Sequence, residues 1–278
     1  MPELPEVETI VRQLRPQVVG RTLRNPKLYH TDVLREVRPA RLLEALRNAT
    51  VHEVSRRAKH VVIRIDRAQR VVIQPGMTGQ LLIYDRRLTA EQRKYAVLQV
   101  SLGGGSFLVY RDVRRLGTIM LLDSEGWRTY TERIGPEPLT PQFSSAHFEN
   151  RMRRTRQAIK KALMDQRLIA GVGNIYANEA LFRARIDPSR PANTLSAADF
   201  RRLHRAVRGV LKAAIKKGGT TIRDYRTSTG ERGGFQHVLQ VYGRGGEPCV
   251  RCRTRLVTTH SIDARATTFC YRCQGMAE

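Results

Sequence analysis

A chain of 278 residues with 41% hydrophobic content is long enough for two or three packed domains and should fold as a soluble globular protein. Lys and Arg number 50 against 25 Asp and Glu, a formal charge of +25 spread through the chain rather than gathered in a tail. Folded faces are therefore expected to attract polyanions, nucleic acid first among them. No apolar run approaches a membrane span, and the start lacks the basic-then-apolar layout of a secretory signal; membrane and export classes are excluded and a cytosolic protein is expected.

The chain opens Met1-Pro2-Glu3-Leu4-Pro5-Glu6, followed by Val7, Ile10, Val11 and Leu14, whose spacing predicts one apolar face of a helix with Pro5 and Glu6 in its first turn. A second helix is expected over 40–49. Short β-rich runs follow at 60–65, 70–73, 80–84, 95–102, 106–111 and 118–122, a texture that predicts a sandwich or barrel. Gly135-Pro136-Glu137-Pro138-Leu139 is rigid punctuation and reads as a hinge. From about 145 to 217 the pattern is helical, with a strongly basic segment over 151–161 that suits phosphate contact better than a merely solvated face. Residues 218–234, rich in Gly and Thr, read as a long mobile loop, and loops of that length tend to be functional or disordered.

All four cysteines lie near the end of the chain, as Cys249-Val-Arg-Cys252 and Cys270-Tyr-Arg-Cys273, with seventeen residues between the pairs. Each short pair can present two thiolates from one turn, and two such turns complete a tetrahedral zinc shell. Four sulfurs leave the ion no open position for water, so the zinc is expected to be structural, organising a small element that cannot bury a sufficient core alone. The alternative, paired disulfides, belongs to an oxidising compartment. Between the pairs, 256–259 and 267–269 suit a β-hairpin turning near 261–263, with Arg265 at or near its tip.

No serine-hydrolase elbow, phosphate-binding loop, zinc-protease motif or dinucleotide fingerprint is present, which turns attention to the amino terminus. Initiator methionine is commonly removed before proline, and this would expose Pro2 as a secondary amine. An α-amino group has a pKa near ~8, far below that of lysine, so an appreciable fraction is neutral and nucleophilic at physiological pH. Such an amine attacking a sugar C1′ can form an iminium that acidifies the C2′ proton and permits strand scission by β-elimination. Glu3, next to it, could move protons as the sugar opens. The same two residues serve equally well as a helix lead-in and cap.

The opening Pro2-Glu3-Leu4-Pro5-Glu6-Val7-Glu8-Thr9 closely resembles that of bacterial formamidopyrimidine-DNA glycosylases. Further segments match that family in order: Arg57-Ala58-Lys59, Gly76-Met77-Thr78-Gly79, Arg114-Arg115, the Gly135 to Leu139 run, Gly171-Val172-Gly173-Asn174-Ile175-Tyr176-Ala177, Gln240-Val241-Tyr242-Gly243-Arg244, and the cysteine cluster. The resemblance spans essentially the whole chain. It implies an α+β multidomain architecture: an N-terminal catalytic β-sandwich with a leading helix over 1–134, a hinge over 135–150, a helix-two-turns-helix domain with a lesion-covering loop over 151–239, and a zinc finger with one structural Zn2+ over 240–278. The partner implied is double-stranded DNA containing oxidised bases or abasic sites, with no membrane association and a monomeric protein.

By the same resemblance Pro2 is the Schiff-base nucleophile, Glu3 the general acid-base, Lys59, on the strand entering the sheet, a proton-transfer and phosphate-contacting residue in β-elimination, and Arg265 the zinc-hairpin arginine linked to phosphate binding and δ-elimination. A target base inside a duplex must be flipped out and its place filled. Met77 matches the wedge, an unbranched side chain on a Gly-flanked turn. Arg114 matches the reader of the orphaned cytosine, a task for a planar fork of donors. Asn174, at the start of a helix, and Lys160 match contacts to the DNA backbone. Residues 218–234 correspond to the loop over the everted purine.

The chain departs from the family pattern in places. Gln74-Pro75 stands where many relatives carry His-Leu, Val113 where proline is frequent, and Leu116 where an aromatic wedge is usual; leucine is apolar but cannot stack as a ring does. Tyr95 replaces a DNA-contacting histidine and Thr155 a basic residue. These changes bear on substrate preference more than on catalysis. An endonuclease VIII-like enzyme for oxidised pyrimidines would share the chemistry, but its opening would read Pro-Glu-Gly-Pro-Glu, and Leu4 disfavours it. A zinc-containing DNA-binding protein that keeps only the scaffold is the alternative from another class.

Overall fold

The computed structural model describes residues 1–221, 225 and 227–275. Part of the stretch expected to form the lesion-covering loop, 222–224 and 226, lies outside the described residues, as do 276–278 at the end of the expected zinc finger. Two compact units emerge, one of Met1–Arg133 with Lys217–Gly234, the other of Ile134–Lys216 with the remainder from Phe235.

In the first unit, α1 (Leu4–Val18) buries Val7, Ile10, Val11 and Leu14 completely, the face that their spacing predicts. The chain continues through β1 (Arg24–Leu28), α2 (Pro39–Leu46), β2 (Val51–Arg57), β3 (His60–Ile65), β4 (Arg70–Gln74), β5 (Gly79–Tyr84), α3 (Ala90–Arg93), β6 (Ala96–Gly103), β7 (Ser106–Asp112), β8 (Thr118–Leu122) and α4 (Ser124–Glu132). The strands form two antiparallel sheets ordered β1-β6-β7-β5 and β2-β3-β4-β8. Their inner faces meet as a sandwich: Val61, Ile63, Val71 and Ile73 from one, Leu81, Leu98, Val100 and Leu108 from the other, joined by the apolar stripe of α1 in one continuous core. Strands β1 and β2 were not among the β-rich runs, because β1 is polar and contains Pro26, and β2 carries His52, Glu53, Ser55, Arg56 and Arg57.

Residues 217–234 group with this unit, whereas the sequence placed them among the helices of 151–239. The cause is a set of bonds to α1. The Thr220 N–H donates to Glu6 Oε1 at 2.7 Å, the Tyr225 hydroxyl donates to the Glu6 carbonyl at 3.3 Å, and the Ser228 N–H and hydroxyl both donate to Gln13 Oε1 at 2.9 Å. Burial pushes the Tyr225 phenol well above its ordinary range, and the Glu6 charge adds to the effect, so the hydroxyl remains a donor. Gly219, at φ +84°, lies against Glu6, where a β-carbon would sit 2.9 Å from Oε1 and 3.2 Å from the helix backbone.

The second unit contains α5 (Ser145–Met152), α6 (Ile159–Met164), α7 (Asn174–Ala184) and α8 (Ala197–Lys216), then β9 (Val257–Thr259), β10 (Thr267–Phe269) and α9 (Tyr271–Gln274). Phe143, Phe148 and Phe200 pack edge to face where α5 meets α8, and Leu203, Val207, Val210 and Leu211 bury the inner side of α8. The basic segment 151–161 is not one helix. Residues 153–158 break it, because the Ile159 N–H pairs with the Arg190 carbonyl and the Ala192 N–H with the Gln157 carbonyl. Among the described residues no helix is long and apolar enough to cross a membrane.

Replacing Gly219 by alanine is expected to cost about 1–3 kcal/mol through strain at positive φ, concentrated in the loop anchor. Hydrogen exchange should show faster exchange at Thr220 with the core of α1 still protected; unchanged exchange at Thr220 would refute the close-approach account.

Candidate functional site

The head of α1 is the most tightly specified point of the first unit. Pro2 and Glu3 are buried immediately ahead of the helix, and Glu3 and Glu6 form a reciprocal capping box in which the Glu3 N–H donates to Glu6 Oε2 at 2.8 Å. Glu6, 1% exposed, therefore holds the chain start with one oxygen and the loop through Thr220 with the other. Met1 still precedes Pro2 and is exposed, so in the unprocessed chain the proline nitrogen is an amide.

Lys59 lies not on a strand, as expected, but in the two-residue turn between β2 and β3, where Arg57 faces His60 and Ala58 takes φ +51°. This turn is tied to α1. Glu8 accepts from Arg56 Nε at 3.0 Å, and Arg56 donates from Nη1 to the Ala58 carbonyl at 3.0 Å. Burial alone would raise the Glu8 carboxyl, but hydrogen bonds from Arg12 and Arg56 outweigh it and hold the group below the usual carboxylate range. The relay ties the turn that carries buried Lys59 to the helix that Pro2 and Glu3 lead into.

Met77 and the Arg114–Leu116 segment occupy two loops fastened together by Asp112. Buried Asp112 accepts from the Thr78 hydroxyl, from the Gly117 N–H at 2.8 Å and from the Tyr110 hydroxyl at 3.1 Å, while the Arg114 N–H donates to Thr78 Oγ1 at 3.0 Å. Gly76 permits the contact, since a β-carbon there would lie 2.6 Å from the Gly117 nitrogen. The pair of loops thrusts Met77, Val113 and Leu116 outward, 39%, 55% and 49% exposed, on a surface otherwise rich in arginine. Exposed apolar tips on so basic a face suit insertion into a base stack. Tyr95, immediately before β6, lies beneath two cations: Lys94 Nζ is 5.3 Å and the Arg111 guanidinium 6.0 Å from its ring.

In the second unit the turn between β9 and β10 carries exposed Arg265. The resemblance implies that Lys160 touches the DNA backbone, but its side chain is 0% exposed and its ammonium donates to Asp263 Oδ1 at 3.0 Å and Thr267 Oγ1 at 2.7 Å. Burial, reinforced by the neighbouring Arg265 charge, holds this ammonium below the usual lysine range despite Asp263. Asp263 also accepts the Arg265 N–H at 3.1 Å. Lys160 thus braces the hairpin turn from behind instead of reaching solvent. Asn174, the first residue of α7, donates to the Ala266 carbonyl at 3.1 Å, and Asn178 Oδ1 accepts the Thr268 N–H at 2.7 Å, so α7 supports the same turn.

The cysteine sulfurs all lie within 4.8 Å of one another, with Cys249 to Cys273 at 3.9 Å, Cys252 to Cys270 at 3.4 Å, and no disulfide among them. A tetrahedral ion with sulfur bonds of about 2.3 Å needs sulfur–sulfur edges of roughly 3.8 Å, so the set fits a single metal. The surroundings are arranged for it. The Arg251 N–H points at Cys249 Sγ at 3.4 Å, and Gln274 links the Cys270 N–H to the Ile186 carbonyl. Leading into this element, fully buried Glu179 accepts the N–H groups of Gln240, Val241 and Tyr242 at 2.9–3.1 Å. Of the three carboxylates that organise these segments, the sequence named Glu6 only as a first-turn helix residue and did not single out Asp112 or Glu179.

Two family models and several known proteins match this chain. The formamidopyrimidine-DNA glycosylase N-terminal domain model matches residues 1–119, and the formamidopyrimidine-DNA glycosylase H2TH domain model matches 134–226. Formamidopyrimidine-DNA glycosylases of Thermomicrobium roseum and Geobacillus kaustophilus are 44% and 40% identical, each match covering 99% of this chain and 100% of the relative. The MutM (FPG) protein of Thermus thermophilus superposes with a TM-score of 0.86 at 38% identity over 100% of both chains. A Lactococcus lactis Fpg in complex with DNA containing an abasic site gives 0.89 at 33% identity, covering 98% of this chain and 99% of that one.

Removing Lys160 as Lys160→Met, which leaves Asp263 buried without its cation, is expected to cost about 3–5 kcal/mol, seen as a lower Tm; an unshifted Tm would contradict the brace. Stripping metal with a chelator should loosen the cysteine element, read as new protease sensitivity within 249–273. Full protection in a metal-free sample would argue against a structural ion.

Proposed function

Because the chain belongs to the formamidopyrimidine-DNA glycosylase family, we propose that it excises oxidised purines, 8-oxoguanine and formamidopyrimidines, from duplex DNA and then cuts the abasic strand. The observation that carries this reading is the head of α1, where Pro2 and Glu3 are buried, Glu6 holds the Glu3 N–H, and the same helix anchors the Lys59 turn through Glu8 and Arg56. A merely structural helix start needs no such anchoring to a distant loop.

Once Met1 is removed, the Pro2 nitrogen is a secondary amine held in one orientation, and most of the entropic cost of positioning a nucleophile is met by the fold. Its lone pair attacks C1′ of the everted nucleotide, the bond from C1′ to the base breaks, and the base departs with a proton. Glu3 delivers a proton to the ring oxygen as the sugar opens, leaving an iminium between Pro2 and C1′. Loss of the C2′ proton breaks the bond from C3′ to its phosphate oxygen, with Lys59 suited to proton transfer and phosphate contact. A second elimination takes the C4′ proton and breaks the bond from C5′ to its phosphate oxygen, with Arg265 beside that phosphate. Water then hydrolyses the iminium and restores the free amine.

Met77 and Leu116 fill the gap left by the everted nucleotide, and the Arg114 fork reads the orphaned partner base. Leu116 is shorter and less able to stack than an aromatic wedge, so Met77 carries most of the insertion. Tyr95, with its two cations, and Asn174 belong to the DNA-contacting set. Cys249, Cys252, Cys270 and Cys273 hold a zinc ion that keeps the Arg265 hairpin folded and takes no part in bond breaking. The protein acts on DNA as a monomer.

Borohydride reduction during reaction with abasic duplex should attach the DNA covalently to Pro2 of the processed chain. A form retaining Met1 should bind the same duplex within about twofold and give no adduct. Adduct formation by the Met1 form, or none by the processed form, would refute the assigned nucleophile.

A further inference from the structure

A charge of +25 exceeds what one DNA footprint uses, since a protein typically neutralises roughly 6–10 phosphates. Part of the excess lies along α8. Its solvent side presents Arg201, Arg202, Arg205, Lys212 and Lys216 at helical spacing, its one acid, Asp199, is buried, and at 20 residues it is about 30 Å long. Ala206 and Gly209 interrupt this row, Gly209 occupying the place between Arg205 and Lys212.

Gly209 opens a concavity. No atom lies within 4 Å of where its β-carbon would stand, and Arg183, Arg202, Arg205 and Ala206 complete a hollow of about 350 Å³. Arg202 is engaged by Asp199 at 2.5 Å and by the Ala184 carbonyl at 3.3 Å. Arg183, rising half-buried from α7, has no carboxylate paired to it among the described residues, and neither has Arg205. Burial weakens the hold of Arg183 on its proton, with Arg251 adding to the effect and Glu179 opposing it; an oxyanion would relieve that penalty. The hollow lies nine residues along α7 from Asn174, about 14 Å by helical rise, so it is not the phosphate contact expected at the start of that helix.

We infer that the α8 row and its arginine hollow form a second, sequence-independent seat for a duplex DNA backbone, with one phosphate in the hollow between Arg183 and Arg205. A glycosylase that searches DNA can use such a seat to grip a second segment before releasing the first. The inference rests on the DNA-acting reading above but not on its chemistry. A duplex is favoured over an acidic polypeptide because cations repeat along the whole helix, as phosphates repeat along DNA, rather than clustering at one point.

The test is made on the zinc-loaded full chain. A complex with labelled duplex carrying an uncleavable abasic analogue is challenged with increasing unlabelled intact duplex, and release is followed in time. Release from wild type should quicken several-fold as competitor rises, and release from the Arg183→Gln, Arg205→Gln, Lys212→Gln triple variant should not depend on competitor. The salt slope of second-duplex binding should fall by roughly 2–3 in the variant, at about 0.9 per lost contact. A charge-retaining Arg183→Lys, Arg205→Lys variant should keep the competitor effect, which separates loss of charge from loss of fold. Single-turnover excision without competitor should match wild type in both variants, so failure of excision in wild type would strike the catalytic reading and leave the release assay standing. Competitor-independent release from wild type, an unchanged triple variant, or acceleration by an acidic peptide but not by duplex would overturn the proposal.

Discussion

At the head of the first helix a buried carboxylate has both oxygens in use: Glu6 takes the Glu3 N–H on one and the Thr220 N–H on the other. An amide buried without an acceptor costs about 1–3 kcal/mol, so neither bond is easily given up. The chain terminus, ordinarily the most mobile part of a domain, is fixed here to a helix and to a loop more than two hundred residues away, at a separation of 214. Glu8 extends the same logic to the Lys59 turn through Arg56. The proposed role of Pro2 depends on this, because a nucleophile on a fraying end would spend most of its time elsewhere.

The second unit uses buried charge in the same way but to present arginine. Lys160 and Asp263 are hidden so that the turn behind Arg265 is firm, and Glu179 gathers three consecutive amides at the approach to the cysteine element. In both units buried ionic groups act as brackets, while many arginines and lysines are left in solvent. A small hairpin with little core of its own gains definition from these brackets and from the four clustered cysteines.

Much of this was legible from the residues. The apolar stripe of α1, strands β3 to β8 and the cysteine spacing are local patterns, and each was read from a short window. The family and the sandwich-plus-helical architecture followed from motifs along the whole chain. What escaped depends on partners far along the sequence: Asp112 and Thr78 are 34 residues apart, Glu179 and Val241 62, Lys160 and Asp263 103. A lysine in a basic run resembles a phosphate ligand until the aspartate that buries it is seen. Pro26 in β1 and the polar residues of β2 hid both strands for the opposite reason, since there the local pattern argued against the strand that tertiary pairing makes.

Asp112 gathers the Met77 turn and the Arg114–Leu116 loop through Thr78, Gly117 and Tyr110, and no bond in that knot involves the side chain of residue 116. Where the tip stands and what the tip is made of are thereby uncoupled. The tip residue can therefore change between leucine and an aromatic without disturbing the frame, whereas the frame itself changes only through concerted replacement at 78, 110 and 112.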